Sequence, residues 1–179
     1  MILYHGSMRK FDRFSISKSL VNGSVENLVE GLGVYMTSDY DLASTYGDTI
    51  YTIEVNNNSI SDFTNINYIK RLLNNIELEV GIVLDDYFNV DDMILDVKDG
   101  FISTTLLYKE ICDQLDSSEA FYFDFQDRIT YEDDCIFKEI EKSFFHHIND
   151  IFKYYDKSYN KDIYICINNP ELLKIKCVA

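Results

Sequence analysis

The chain has 179 residues and a mass of 21.0 kDa, with 46% hydrophobic and 15% aromatic residues, seven glycines and a single proline. These numbers describe one domain, or one domain with a large insertion, and exclude disordered, collagen-like and low-complexity chains. Thirty-one acids against 16 bases leave a formal net charge of −15, which works against direct binding to nucleic-acid phosphates.

No apolar run approaches the length needed to cross a bilayer, so no membrane association is expected. The opening MILYHGS has no basic region ahead of an apolar stretch, so a cytoplasmic location is expected. Cys112, Cys135, Cys166 and Cys177 form no CxxC pair. They read as reduced, mostly buried thiols, and no metal site is expected.

In chain order, residues 1–60 read as strands and loops. Ile2–Tyr4 is a short apolar strand, and Gly33–Thr37 is another, entered through Gly31 and Gly33. A short helix follows, with Ser38 as cap, Asp41 closing a capping box and Gly47 as a left-handed stop. Ile50–Val55 alternates as a half-buried strand, and Asn56–Asn58 ends it as a turn.

Residues 61–157 read as mostly helical. Ile69, Leu72, Leu73 and Ile76 share one helical face. The longest helix is predicted from about Asp134 to Tyr155, on apolar positions from Phe137 through Phe144 to Ile151 and Tyr155. His146 and His147 are adjacent, so on a helix they leave the axis about 100° apart and are not expected to share a metal. Residues 85–134 hold 15 acids and 3 bases, a net of −12. That block reads either as a solvated face or as a docking surface for a protein partner with a basic surface.

Residues 158–179 return to β-structure, with Ile163–Ile167 as one strand, Pro170 ending it, and Leu172–Val178 as another. The fold class expected is therefore α+β. The two chain ends build a sheet core and the acidic helical middle is an insertion or cover.

Three short segments bear chemistry. His5-Gly6-Ser7 ends the first strand, where glycine admits a close ligand and the neighbouring side chains offer hydrogen bonds. Tyr35 and Tyr46, eleven residues apart, could sandwich a flat ring or could be half-buried core tyrosines. Asp162 stands at the mouth of the strand that runs to Asn169-Pro170-Glu171.

In this order the segments resemble the ADP-ribosyltransferase superfamily, in the histidine–tyrosine–acid branch shared by poly-ADP-ribose polymerases and diphtheria toxin. His5-Gly6-Ser7 is similar to the family's HG[ST], Gly33-Val34-Tyr35-Met36 to its G-x-Y-[FLM], and Ala43–Tyr46 to its A-x-x-Y setting. The family mostly places a glutamate about six residues before the proline of its N-P-E turn, whereas Asp162 lies eight before Pro170, with Asp156 as the alternative acid. The resemblance covers about 80 residues at the two ends. A small, acidic, aspartate-using version also resembles the anti-CRISPR ADP-ribosyltransferases of bacteriophages.

The resemblance implies an ADP-ribosyltransferase-like split sheet and an enzyme that uses NAD+ as substrate. His5, Gly6, Ser7, Tyr35 and Tyr46 would bind it: His5 the adenosine ribose, Gly6 and Ser7 the carboxamide, the tyrosines the nicotinamide ring. Asp162 would support the cation that develops on the ribose, and no metal is needed. The expected reaction is mono-ADP-ribosylation of a protein target, such as a nucleic-acid-binding CRISPR effector. An inactive acidic protein that blocks a basic partner, or an NAD+ glycohydrolase, are the alternatives.

Overall fold

The computed structural model describes residues 1–15, 33–125, 128–129 and 135–179. The chain divides into two compact units, 1–64 with 149–179, and 65–148. The first is a β unit and the second is helical.

The β unit holds seven strands: β1 (Ile2–Ser7), β2 (Val34–Thr37), β3 (Thr49–Glu54), β4 (Ile60–Asp62), β5 (Ile151–Asp156), β6 (Lys161–Cys166) and β7 (Lys174–Val178). They form one sheet in the order β4-β5-β6-β2-β1-β3-β7. Only β4 and β5 run parallel; the other neighbours are antiparallel. The long ladders are β1–β3, with six register pairs from Ile2↔Glu54 to Ser7↔Thr49, and β5–β6, with six from Ile151↔Cys166 to Asp156↔Lys161. β1 and β2 meet at the single pair Tyr4↔Thr37. The sheet is thus two ladders, β4-β5-β6-β2 and β1-β3-β7, joined at a narrow seam.

One face of this sheet carries an apolar core of Leu3, Val34, Met36, Tyr51, Ile53, Ile151, Tyr164 and Cys166, closed by Phe14 and Leu173. Side chains alternate faces along a strand. Residues between these positions therefore take the other face, among them Tyr35, Phe152, Tyr154, Ile163 and Ile165. Phe152 and Ile165 are fully buried there, so β5 and β6 are covered on both faces.

The short helix α1 (Tyr40–Ser44) lies against β1, with the Tyr4 and Tyr40 rings edge to face at 5.4 Å. Its cap is Asp39, whose side chain accepts from the Leu42 amide at 3.0 Å, so the start falls one residue after the expected Ser38. Gly47 is not a left-handed stop. Its φ is 157°, and a Cβ there would stand 2.1 Å from the Ser7 carbonyl carbon. Close backbone packing, and not helix termination, calls for glycine at this position.

The helical unit holds α2 (Ile66–Val80), α3 (Val90–Lys98), α4 (Leu107–Asp116), α5 (Glu119–Phe125) and α6 (Ile136–His147). Ile69, Leu72, Leu73 and Ile76 are all buried along α2, as their spacing predicts. Asn65 caps α2 by accepting from the Asn67 amide, and Gly81 ends it in the left-handed region at φ 73°.

The long helix expected to Tyr155 ends at His147, and Ile151–Asp156 is β5. Residues 61–62 and 151–156, expected in the helical middle, therefore belong to the sheet. The expected start at Asp134, and Gly31 in the glycine pair, lie outside the described residues. Among those described, no helix is long and apolar enough to cross a membrane.

Candidate functional site

The end of β1 packs against the turn that follows α1. A Cβ on Gly6 would lie 1.8 Å from the Ala43 carbonyl oxygen and 3.2 Å from Tyr46 Cβ. The Ser7 backbone is similarly pressed against Gly47. Glycine at 6 thus has a packing reason as well as the one expected from ligand approach. Ser7 Oγ accepts from the Arg9 amide at 3.1 Å, which folds the chain sharply after β1.

Tyr46 lies half exposed beside this contact, its ring 6.0 Å from that of Tyr159 in an edge-to-face pair. Burial raises the Tyr46 phenol well above its ordinary range. A hydrogen bond with Tyr159 and the nearby Asp156 carboxylate and Tyr35 phenol push it the same way. Gly6, Tyr35, Tyr46, Tyr159 and Asp156 are therefore neighbours, while Ser7 has the strand parity of His5 and meets the group only through its backbone at Gly47. Sheet alternation agrees, since Tyr35 and Asp156 both lie on the face opposite the Val34–Met36–Tyr51 core. Asp156 is buried at 5% exposure and accepts from the Ser158 amide at 2.8 Å. It opens the β5–β6 hairpin, whose turn is completed by Asn160 at φ 53°.

His5 does not join this group. Its ring points into the core face, with Phe14 at 5.2 Å, Tyr51 at 6.0 Å and Phe11 at 6.1 Å between centroids. Its Nδ1 lies 2.7 Å from the Tyr35 carbonyl oxygen. The imidazole therefore spans the seam between the two ladders from the side opposite the Tyr35 ring. Burial holds its pKa below the ordinary value, and the Tyr35 hydrogen bond works in the other direction. The expectation that His5, Tyr35 and Tyr46 share one cleft is corrected by strand parity: 5 and 35 fall on opposite faces of the sheet.

Asp162 is also apart from the tyrosines. It shares a face with Tyr164, and its Oδ2 stands 3.0 Å from Lys153 Nζ. Lys153 donates to Thr64 Oγ1 at 2.9 Å and lies 3.5 Å from Asp62 Oδ2. Burial works against this ammonium, but Asp162 and Asp62 more than offset it and raise its pKa. Asp162 is thus one of two carboxylates around a single lysine. It lines an open depression with Thr37, Asp39, Tyr155 and Lys161, which His5, Gly6, Tyr35 and Tyr46 do not border.

His146 and His147 behave unlike two residues pointing apart. Their rings stack at 4.8 Å and 26°, both against Glu79 of α2. The Cβ directions diverge around the helix, but the side chains bend back to one carboxylate. Neither this cluster nor the Tyr51 ring stacked on Phe11 at 4.2 Å was legible in the sequence, since both join residues at least 40 positions apart. A helix to Tyr155 was expected where Asp156 begins a hairpin turn; the turn-forming run Asp156–Asn160 is the signal that could have found it.

No family model matches the chain, and no curated protein does. A solved structure described as an anti-CRISPR protein aligns over 93% of this chain and 89% of its own, at 13% identity and a TM-score of 0.39. At that distance the likeness carries no argument.

Proposed function

We propose that the protein binds NAD+ beside Gly6, Tyr35 and Tyr46 and transfers its ADP-ribose to a protein target with a basic surface. The observation that carries this reading is the grouping of those three positions with a buried carboxylate, Asp156, on one face of the sheet. A second support is the narrow β1–β2 seam, which divides the single sheet into two ladders, in keeping with the split sheet that the resemblance implies.

In this reading the bond between nicotinamide and the ribose breaks, nicotinamide leaves with the electron pair, and a nucleophile of the target adds to the ribose carbon. Positive charge develops on the ribose on the way. A carboxylate held in a partly dry site stabilises that charge more than water does. Tyr46 and Tyr35 would position the nicotinamide ring. The acid role moves from Asp162 to Asp156, because Asp162 is already paired with Lys153 and faces away from the tyrosines. His5 becomes a positioning residue that holds the Tyr35 backbone through Nδ1.

The test is NAD+ binding and cleavage by the purified chain. Asp156→Asn should lower turnover on the order of 10²-fold with little change in NAD+ affinity. Asp162→Asn should change turnover much less. The reverse ranking would return the role to Asp162. An inactive acidic protein that occupies a basic partner is the second reading, favoured by the burial of the His5 ring among Phe11, Phe14 and Tyr51. It would hold if the wild-type chain neither bound nor cleaved NAD+.

A further inference from the structure

The helical unit carries a donor cluster unrelated to the residues above. Glu79 is the penultimate residue of α2, and His146 and His147 are the last two of α6. Glu79 Oε1 lies 3.3 Å from His146 Nδ1 and 2.9 Å from His147 Nε2. One donor atom from each of the three residues falls within 4.8 Å of the others. In a tetrahedral zinc site with bonds of about 2.0–2.1 Å, neighbouring donors stand roughly 3.3 Å apart. Both carboxylate–imidazole spacings are close to that already. The imidazole–imidazole spacing closes by rotation of His146, whose side chain is 71% exposed and free to turn.

Two further features point to a cation. His147 Nε2 is buried, and despite its closeness to Glu79 it makes no hydrogen bond of acceptable geometry. A buried ring nitrogen without a partner is costly unless its lone pair is used. The donor residues are also held from behind. Ser143 Oγ donates to Glu79 Oε2 at 2.6 Å, which leaves Oε1 for the cluster. The Asn75 amide lies 3.5 Å from His147 Nδ1. Turned so that its oxygen accepts from Nδ1–H, it fixes the tautomer that presents the Nε2 lone pair.

We infer that Glu79, His146 and His147 bind one zinc ion, with the fourth position open to solvent beside His146, and that the ion pins the end of α6 to α2. Two imidazole nitrogens and one carboxylate oxygen suit zinc better than the hard cations calcium or magnesium.

The experiment uses the untagged full chain, stripped with a chelator and titrated calorimetrically with zinc chloride. One saturable equivalent is expected. Loss of a ligand in His146→Ala, His147→Ala or Glu79→Gln should abolish it. Asn75→Ala should weaken it about 10- to 100-fold at unchanged stoichiometry, the effect of removing an outer partner of a ligating histidine. His146 is exposed, so its alanine variant folds and isolates ligation from stability. Zinc should raise the melting temperature of wild type and leave that of His146→Ala unchanged. Cobalt substitution should give a tetrahedral visible spectrum without the strong near-ultraviolet band of thiolate ligation. The inference is overturned by no saturable equivalent, by unaltered binding in His146→Ala, or by a thiolate band that assigns the metal to the cysteines.

Discussion

The two units of this chain divide their resources differently. Residues 65–148 hold 19 acids and 7 bases, a net of −12, while residues 1–64 with 149–179 hold 12 acids and 9 bases, a net of −3. The β unit carries the glycine, tyrosine and carboxylate positions that suit ligand chemistry, on a sheet whose ladders join residues from opposite ends of the chain. The helical unit packs its first helix, α2, against its last, α6, and carries most of the net charge. Surface charge of this density acts on encounter and partner discrimination, and salt screens it over about 8–10 Å. The contrast teaches that close packing constrains the β unit residue by residue, whereas the helical unit needs only its apolar stripes and leaves the rest of its surface free to be acidic.

The sharpest test of that contrast is the helical core. Phe144 is fully buried, at 0% exposure. Phe144→Ala should cost about 3–5 kcal/mol by denaturant unfolding. Hydrogen exchange should show the lost protection in residues 65–148.

Gly6→Ala strikes the β unit next hardest. The added methyl would meet the Ala43 carbonyl oxygen at 1.8 Å, and backbone cannot swing away as a side chain does. A loss of about 1–3 kcal/mol is expected, as for other overpacked sites, measured as a lowered unfolding midpoint. Wild-type stability in this variant would break the claim that the β1–α1 contact is tight.

Asn65→Ala removes the cap of α2 and should cost about 1 kcal/mol in the same assay. Its small size beside Gly6→Ala would sharpen the view that the helical unit tolerates surface change.

The pH response should come from His5. Its folded pKa lies below the ordinary 6.5, so as pH falls the unfolded chain takes up the proton first. Stability contributed by the neutral ring is therefore full above about pH 6.5 and is lost as pH drops below it. Replacing His5 by Gln should flatten the unfolding-midpoint curve between about pH 7 and 5.

The least effect on stability is expected from charge reversal. Asp91 and Asp92 are poor choices, because both lie in the first turn of α3, where a lysine opposes the helix dipole, and Asp91 pairs with Lys70 at 2.8 Å. The acids at 133 and 134, equally dense in the sequence, lie outside the described residues. Asp96 and Asp113 are exposed in the later halves of α3 and α4. Asp96→Lys with Asp113→Lys should leave the melting temperature unchanged while slowing association with a basic partner and flattening its salt dependence. An unchanged rate would mean that the acidic surface serves solubility alone.

Much of this was legible in the residues. The stripe Ile69, Leu72, Leu73 and Ile76 has one period and one explanation, a helix with one buried face, and so does the charge asymmetry. The strands at the two chain ends were legible from apolar runs bounded by glycine, asparagine and proline. The stretch Ile148–Tyr155 was not, because β5 is buried on both faces and so lacks the period-two alternation that separates strand from helix. Only the turn residues Asn149 and Asp150 marked the break. The motif residues could be picked out by type, but their grouping was decided by strand parity and register. A one-residue difference in parity sends His5 to the core and Tyr35 to the other face, and Asp162 to Lys153 while Asp156 meets the tyrosines. Local pattern sets which elements form, since it depends on neighbours a few residues away. Which side chains meet depends on pairings across distant parts of the chain, and only the folded sheet and the packed helix ends supply those.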